Sequence, residues 1–409
     1  MPAASTPPAT PPRETGPEPA VAPPPGHPRF PHVDGLRALA ALSVLAYHTS
    51  FFSRAHQESA LGPVLARLNI GVPIFFAISG FLLYRPFAAA RLEAWPRPRA
   101  GAYARRRFLR IVPAYWVALS ILALYPGADG LWSGEWPLFY GFAQAYSVRT
   151  VLAGIGPAWT LCSEAAFYVL LPLYAWSTAR VLGSRAAAVR RELALLGALA
   201  LGSAALRAGT FGADVGTLGQ TLPALFAWFA VGMAVAVVSS AATAGLLRAP
   251  RVPALGAWIV AGGLYLVMCY TLGAPEVSVF ADRPTRLESL FEFVMSGLVA
   301  GVLLLPAVFG TREGGLPRRL LAARPVAWLG LVSYGIYLWH WSIAKWLLDL
   351  HVLEHFSGAP FLSLTGLTLA ITVPIAALSY YLVERPILRF KEGRPRRRGA
   401  AEPARAPVA

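Results

Sequence analysis

Ten apolar runs, each long enough to cross a lipid bilayer as a helix, are the feature that most constrains this sequence. A helix needs about 20 predominantly apolar residues to cross the hydrocarbon core. Only 14% of the 409 residues are charged, whereas soluble domains carry about 25% charged residues. The sequence therefore predicts an all-α, polytopic membrane protein with about ten transmembrane helices. The predicted spans cover residues 34–53, 69–87, 108–125, 157–176, 192–206, 219–239, 253–273, 287–308, 327–348 and 361–384.

Basic residues are concentrated on one side of these predicted spans. They lie in both tails and in the connections after the second, fourth, sixth and eighth spans, and only a few lie in the opposite connections. Because cytoplasmic loops carry an excess of Lys and Arg, both termini are predicted to be cytoplasmic, and the chain to cross the cell membrane several times. This asymmetry also accounts for the net charge of +16, so we expect a lipid bilayer and not nucleic acid as the partner.

The two tails differ from the apolar region between them. Residues 1–33 are rich in Pro and predict a disordered cytosolic tail, and residues 387–409 predict a disordered basic cytosolic tail. Residues 34–386 are predicted to form one integral membrane domain. The two cysteines, Cys162 and Cys269, lie in apolar runs without metal-ligand spacing, so we expect no metal site.

The first predicted span carries the ionisable side chains of Arg37 and His48 within its apolar sequence. Their separation of eleven residues puts them on one helical face, about 16 Å apart along the axis. In the predicted orientation Arg37 lies near the cytosolic interface and His48 lies about two-thirds of the way across the core. Ionisable residues inside a membrane are costly, so both indicate function.

The third predicted span opens with the segment RRRFLR. Arg107 and Arg110 are three residues apart, so they are neighbours on one helical face at the predicted cytosolic end. Such arginines can be interfacial anchors, but Arg110 lies about a turn inside the helix, which favours a bound anion. With Arg37 they predict a site for a phosphorylated ligand, because arginine binds phosphate bidentately.

The fourth predicted span carries Glu164, about 10 Å below the predicted outer face. His48 lies at a similar predicted depth. A carboxylate beside an imidazole can fix its tautomer and stabilise the imidazolium, so the two predict a general-base pair. The alternative is that Glu164 is a structural hydrogen-bonding residue unrelated to His48.

Further polar residues are candidates for supporting roles. Ser333, Tyr337 and His340 of the ninth span share one helical face, although a histidine between two tryptophans is often only a packed, hydrogen-bonded residue. Asp34, beside Arg37, is another candidate. Acidic residues at two places have alternative interpretations. Glu384 at the predicted cytosolic boundary is structural or near the phosphorylated ligand, and the pair formed by Glu288 and Glu292 binds polar acceptor groups or is merely solvated.

Six segments, most of which contain these residues, resemble, in sequence and in order along the chain, the acyltransferase-3 family of integral membrane acyltransferases. Members of this family O-acylate sugars, lipid-linked oligosaccharides, antibiotics and related molecules. The resemblance covers about residues 33–390. The matching segments are DGLRALAALSVLAYH, GVPIFFAISGFLL, RFLR, WTLCSE, SYGIYLWHW and SYYLVERP.

The resemblance implies roles for individual residues. His48 would be the essential catalytic residue with Arg37 as its helix partner, and Arg107 and Arg110 would help to bind the acyl donor. Glu164 would support the acceptor or the histidine. Thr160 stands where the family usually has Ser, which keeps a hydroxyl group. We expect no SGNH-type domain of the kind that is fused to some members, and we expect acyl transfer to be completed within the membrane domain.

The hypothesis from the sequence is an O-acyltransferase with acyl-CoA, most simply acetyl-CoA, as co-substrate and no permanently bound cofactor. The acceptor would be a hydroxyl of a carbohydrate or a glycosylated small molecule. His48 would act as a general base or carry the acyl group as an acyl-imidazole, and the sequence does not separate these routes. The rival is a proton-coupled transporter or flippase in which Arg37, His48 and Glu164 form the translocation path.

Overall fold

The computed structural model describes residues 30–182, 186–211, 217–274, 285–310, 315–356 and 358–390. Within these ranges the chain is helical and has no β-strand, as the predicted all-α class requires. Most of both predicted disordered tails, residues 1–29 and 391–409, lies outside the described residues.

Each of the ten predicted spans coincides with one long helix. These helices are α1 (Pro31–Phe52), α2 (Gly71–Leu92), α3 (Ala100–Leu124), α4 (Trp159–Val181), α5 (Ala186–Thr210), α6 (Leu222–Thr243), α7 (Ala254–Leu272), α8 (Arg286–Phe309), α9 (Arg324–Asp349) and α10 (Pro360–Ser379).

By length and apolar composition, eight helical segments of the described residues can cross a membrane. A ninth is added if α9 is joined with the short helix Gly315–Ala322, from which it is bent by 57°. α1 is not among them, because Arg37 and His48 lower its mean hydropathy. The chain is thus a multi-pass α-helical membrane protein, and the crossing by α1 and the cytosolic location of the termini stay predictions.

The helical structure extends slightly beyond both predicted ends of the membrane domain. α1 begins at Pro31 instead of residue 34, because proline fits the first turn of a helix and Val33 is buried in the core. At the other end, the short helix Arg385–Arg389 continues past residue 386.

α1 and α2 have packing neighbours on most of their sides. α1 packs against α2, α8, α9 and α10, and α2 packs against α1, α4, α6 and α8. Gly80 of α2 and Gly232 of α6 allow these two helices to touch backbone to backbone, since a Cβ at either position would overlap the facing helix. Small residues are the usual means of close helix packing in membranes.

The connection from α3 to α4 brings the start of α4 onto α9. It ends in a single 3₁₀ turn, Gly156–Ala158, directly before Trp159. A Cβ at Gly156 would overlap the ring of Trp341 in α9. The predicted polar residues of α4 and α9 therefore face a common space beside α1.

Candidate active site

One face of α2 stays partly open although the helix lies inside the bundle. Val72, Phe75, Ser79, Leu82 and Pro86 follow one another at helical spacing, and each is half-buried while most of their neighbours are buried. Contacts of this face with Glu164 and Tyr337 direct it to α4 and α9. This face of α2 is therefore packed less tightly than the rest of the helix.

His48 forms a hydrogen bond with a second histidine. Its Nδ1 lies 2.9 Å from Nε2 of His340, and Nδ1 of His340 lies 2.9 Å from the carbonyl oxygen of Ile336, one turn earlier in α9. The indole ring of Trp341 packs edge-on against the His48 ring, with 4.8 Å between centroids. α9 therefore holds the imidazole of His48 from two sides.

These contacts assign the tautomers of both rings. A carbonyl oxygen can only accept a hydrogen bond, so Nδ1 of His340 carries a proton and Nε2 of neutral His340 is an acceptor. Nδ1 of His48 is then the donor to His340. Consequently Nε2 of neutral His48 keeps its lone pair, which is what a general base or a nucleophile requires.

Tyr337 ties the start of α4 to α9 near the histidine pair. Its hydroxyl donates to the carbonyl oxygen of Pro157 at 2.6 Å and lies 2.5 Å from Oγ1 of Thr160. Thr160 thus uses the hydroxyl that it shares with serine. Ser333, one turn before Tyr337, is fully buried, and its Oγ has no partner among the described residues.

Glu164 is not the partner that the structure gives to His48. Its Oε1 accepts hydrogen bonds from Oγ of Ser79 at 2.7 Å and from the hydroxyl of Tyr168 at 2.6 Å. The predicted pairing rested on equal depth, which leaves the rotation of each helix undetermined. The carboxylate of Glu164 instead interacts electrostatically with Arg37, on the same helical face of α1 as His48.

Arg110 already has a counter-ion. Its Nη1 lies 3.0 Å from Oε2 of Glu384, and both side chains are buried. Glu384 ends the π-helical turn Tyr380–Glu384 that follows α10, and such turns re-aim side chains within a helix. The structure thus brings Arg110 to the predicted site but balances its charge with a carboxylate.

Arg37 and Arg107 lie half-buried without an ion-pair partner in the described part of the chain. Arg37 interacts electrostatically with Asp34, Glu164 and Arg110, and the Nε of Arg107 is buried without a hydrogen-bond partner in those ranges. A cation that is withdrawn from water without a close counter-ion is costly. Both residues interact electrostatically with Arg110 and Tyr168, so they border a common region that suits an anionic ligand.

α1 is unbroken from Pro31 to Phe52, so Arg37 and His48 stay on one face, about 16 Å apart along the axis. The arrangement is a cationic site and a free imidazole nitrogen, with the open face of α2 beside them. It can bind an anionic group at one end and activate a hydroxyl at the other. In the described ranges no three metal-ligating side chains come together.

Sequence reasoning missed Ser79 and Tyr168. Tyr168 follows Glu164 by four residues, a spacing at which side chains meet on a helix, so it could have been found. Ser79 lies in a different helix, α2, and the sequence around it does not predict a contact with Glu164. His340 was found only as a candidate supporting residue, although it provides the one side-chain hydrogen bond of His48 that the structure describes.

Comparisons with known proteins support this assignment. The model of a family described as an acyltransferase domain matches residues 30–381. The chain is 24% identical over 380 residues to the peptidoglycan O-acetyltransferase OatA of Listeria monocytogenes, a match that covers 87% of this chain and 55% of that protein. It is 26% identical over 399 residues to the acyltransferase MdmB of Streptomyces mycarofaciens, with 90% of this chain and 94% of that protein covered.

The chain spans about half the length of the Listeria relative. No solved structure matches it. The family match extends from the start of α1 into the turn after α10, and it includes the matching segments of the sequence analysis except the last five residues of SYYLVERP. The chain therefore belongs to the acyltransferase-3 family of integral membrane acyltransferases.

Proposed function

We propose that this protein transfers an acyl group, most simply acetyl, from acyl-CoA to a hydroxyl of a carbohydrate or glycosylated acceptor in the plasma membrane. The observation that carries the proposal is the hydrogen bond from Nδ1 of His48 to His340, which leaves Nε2 of His48 unprotonated. The names of relatives that are acyltransferases or O-acetyltransferases support the reaction type.

The donor is bound by its phosphates. Arg37 and Arg107 are half-buried cations without an ion-pair partner in the described ranges, and their guanidinium groups suit phosphate oxygens. From there the pantetheine arm follows the open face of α2 and carries the thioester to His48. Glu164 and Ser79 lie along this route and can hydrogen bond with the amides of the arm.

The chemical step uses the lone pair on Nε2 of His48. In the general-base route, Nε2 takes the proton of the acceptor hydroxyl while its oxygen attacks the thioester carbonyl, the C–S bond breaks, and CoA leaves as a thiolate that receives the proton. In the covalent route, Nε2 attacks the carbonyl first, the C–S bond breaks and CoA leaves as a thiolate. The acceptor hydroxyl then attacks the acyl-imidazole, and its proton passes to the thiolate. Both routes stay open, and in both His340 stabilises the positive charge that develops on His48.

The proposal is tested with the purified protein in detergent, acetyl-CoA, and either chitotetraose or a glycosylated macrolide as acceptor. Release of CoA thiol together with formation of an acetyl ester on the acceptor is the expected result. Failure to form an ester with any acceptor, despite folded protein, would count against the proposal.

A second candidate is a transporter or flippase, because the open face of α2 also suits a translocation path. Flux of a labelled sugar or lipid-linked sugar into proteoliposomes, without acyl-CoA and without ester formation, would favour it. The two assays thus separate the two functions.

A further inference from the structure

A polar cluster lies at the end of the bundle where α1 ends and α2 begins. Nε of Arg67 lies 3.6 Å from Oε2 of Glu292, and Nδ2 of Asn69 donates to Oε1 of the same glutamate at 3.2 Å. Arg67 and Asn69 directly precede α2, and Glu292 belongs to the second turn of α8. Three side chains from two distant segments thus meet at one carboxylate.

The cluster borders the catalytic histidine of the proposed reaction. Tyr47 precedes His48 in α1, and their rings lie edge to face with 5.0 Å between centroids. The hydroxyl of Tyr47 interacts electrostatically with both Glu292 and Arg67. Tyr47 therefore connects the cluster with the His48 ring, at the opposite end of α1 from Arg37.

The cluster is open and its hydrogen-bonding capacity is not used up. The side chains of Arg67 and Glu292 are 15% and 26% exposed, so a ligand can reach them. The Nε of Arg67 is buried but has no hydrogen bond in the described ranges, because 3.6 Å to the carboxylate is too long for one. A buried donor without a partner is costly, and a ligand oxygen would satisfy it.

The chemistry of the three side chains suits hydroxyl groups. A hydroxyl both donates and accepts, so neighbouring hydroxyls can donate to a carboxylate and accept from a guanidinium or an amide at the same time. A phosphorylated ligand would instead be repelled by Glu292. The cluster therefore matches a sugar ring and differs from the arginine site at the other end of α1.

We propose that Arg67, Asn69 and Glu292 form an acceptor subsite that binds neighbouring hydroxyls of a sugar and presents another hydroxyl to Nε2 of His48. This assignment rests on the proposed acyl-transfer function. It divides the site into a donor end at Arg37 and Arg107 and an acceptor end at Glu292, with His48 between them.

The test compares Glu292→Gln with Glu288→Gln, using acetyl-CoA and chitotetraose. Glu288 is exposed one turn earlier on α8 and caps the helix through Thr285, a role that glutamine also fills, so its variant is a matched control. Glu292→Gln should raise KM for chitotetraose about tenfold or more, because a hydrogen bond to a charged group contributes that much. The rate of acetyl-CoA hydrolysis without an acceptor should not change in Glu288→Gln.

Several outcomes would overturn the subsite. One is a KM for chitotetraose in Glu292→Gln within twofold of the unchanged protein, and another is no stimulation of CoA release by chitotetraose in the unchanged protein. Asn69→Ala should also raise KM for chitotetraose. This variant serves as the test if Glu292→Gln does not fold. Hydrolysis of acetyl-CoA that is lost in His48→Ala would show that the donor chemistry stands even if the subsite fails.

Discussion

The tautomer and the orientation of the His48 imidazole depend on residues of α9 more than on the position of His48 in α1. His340 accepts from its Nδ1, and the carbonyl oxygen of Ile336 fixes the tautomer of His340 in turn. The second of these two hydrogen bonds is made to a backbone carbonyl of the unbroken helix α9. The backbone of α9 therefore fixes the positions of both rings. Nε2 of His48, the reactive nitrogen in the proposed function, is thereby left unprotonated without the help of a carboxylate.

His48→Ala should lower acyl transfer at least about 100-fold, because general-base catalysis contributes two to four powers of ten. The rate of CoA release with saturating acceptor measures this, and gel filtration in detergent checks folding. His355→Ala, which removes an exposed histidine, is the control and should be fully active. Retention of more than half of the activity in His48→Ala would refute the catalytic assignment.

His340→Ala should lower kcat about 10- to 100-fold with little change in either KM, because His48 loses the acceptor that orients it. His340→Gln should recover part of the rate, since its amide oxygen can accept from Nδ1 of His48. The measurement is the pH dependence of kcat. The pH at which kcat falls because His48 becomes protonated should shift in both variants. A structural role alone would lower the amount of folded protein but leave that pH unchanged.

Arg107→Ala should raise KM for acetyl-CoA about tenfold and leave kcat near that of the unchanged protein, because it removes one charge-assisted contact to the donor. Arg97→Ala, an exposed arginine between α2 and α3, is the matched control. An equal rise of KM in both variants would show that only the overall positive charge matters. An unchanged KM in Arg107→Ala would show that Arg107 does not belong to the donor site.

The turn after α10 provides the counter-ion of a buried arginine in α3. The π-helical turn Tyr380–Glu384 places the carboxylate of Glu384 against Arg110 of α3, in a buried position. α3 also packs against α9 and α10 through a buried apolar cluster that includes Leu119, Leu338 and Leu364. The ion pair therefore adds a buried polar contact to this apolar packing.

Glu384→Gln should destabilise the protein by about 3–5 kcal/mol, the usual cost of leaving a buried charge without its partner. The midpoint of thermal unfolding in detergent should fall. Replacing both partners, as in Arg110→Met with Glu384→Leu, should restore most of the midpoint because no buried charge is left. If Glu384→Gln unfolds at the same temperature as the unchanged protein, the pair is not a stabilising contact.

For the whole molecule, the bundle separates two polar ends with an apolar middle. Arg37, Arg107 and Arg110 lie at the end where α1 begins, and Arg67 with Glu292 lies where α1 ends. The basic loops predict that the first of these ends faces the cytoplasm, where acyl-CoA is found. The acceptor end would then face the outside.

The predicted orientation can be measured with cysteine labelling in whole cells. Ser133→Cys in the connection after α3 should react with a membrane-impermeant maleimide, and Arg97→Cys in the connection before α3 should react only after lysis. Both positions are exposed, and the two native cysteines are buried, so the background is low. The reverse labelling pattern would invert the assigned ends.

Much of the architecture could be predicted from the sequence, since the ten long helices coincide with the ten apolar runs. The candidate residues Arg37, His48, Glu164 and His340 could also be found, because ionisable residues inside apolar runs stand out. Their partners could not. Depth along a helix axis suggested Glu164 as the partner of His48, but the packing of α4 turns that carboxylate to Ser79 and Tyr168.

The sequence by itself determined the class of the protein, the extent of its helices and the shared face of Arg37 and His48, because each depends on composition or on spacing within one helix. Only the tertiary structure decided that His340 is the partner of His48, that Glu384 balances Arg110, and that Arg67, Asn69 and Glu292 meet. These contacts join residues of different helices, and their geometry depends on how each helix is rotated and placed against its neighbours, which spacing within a helix does not fix.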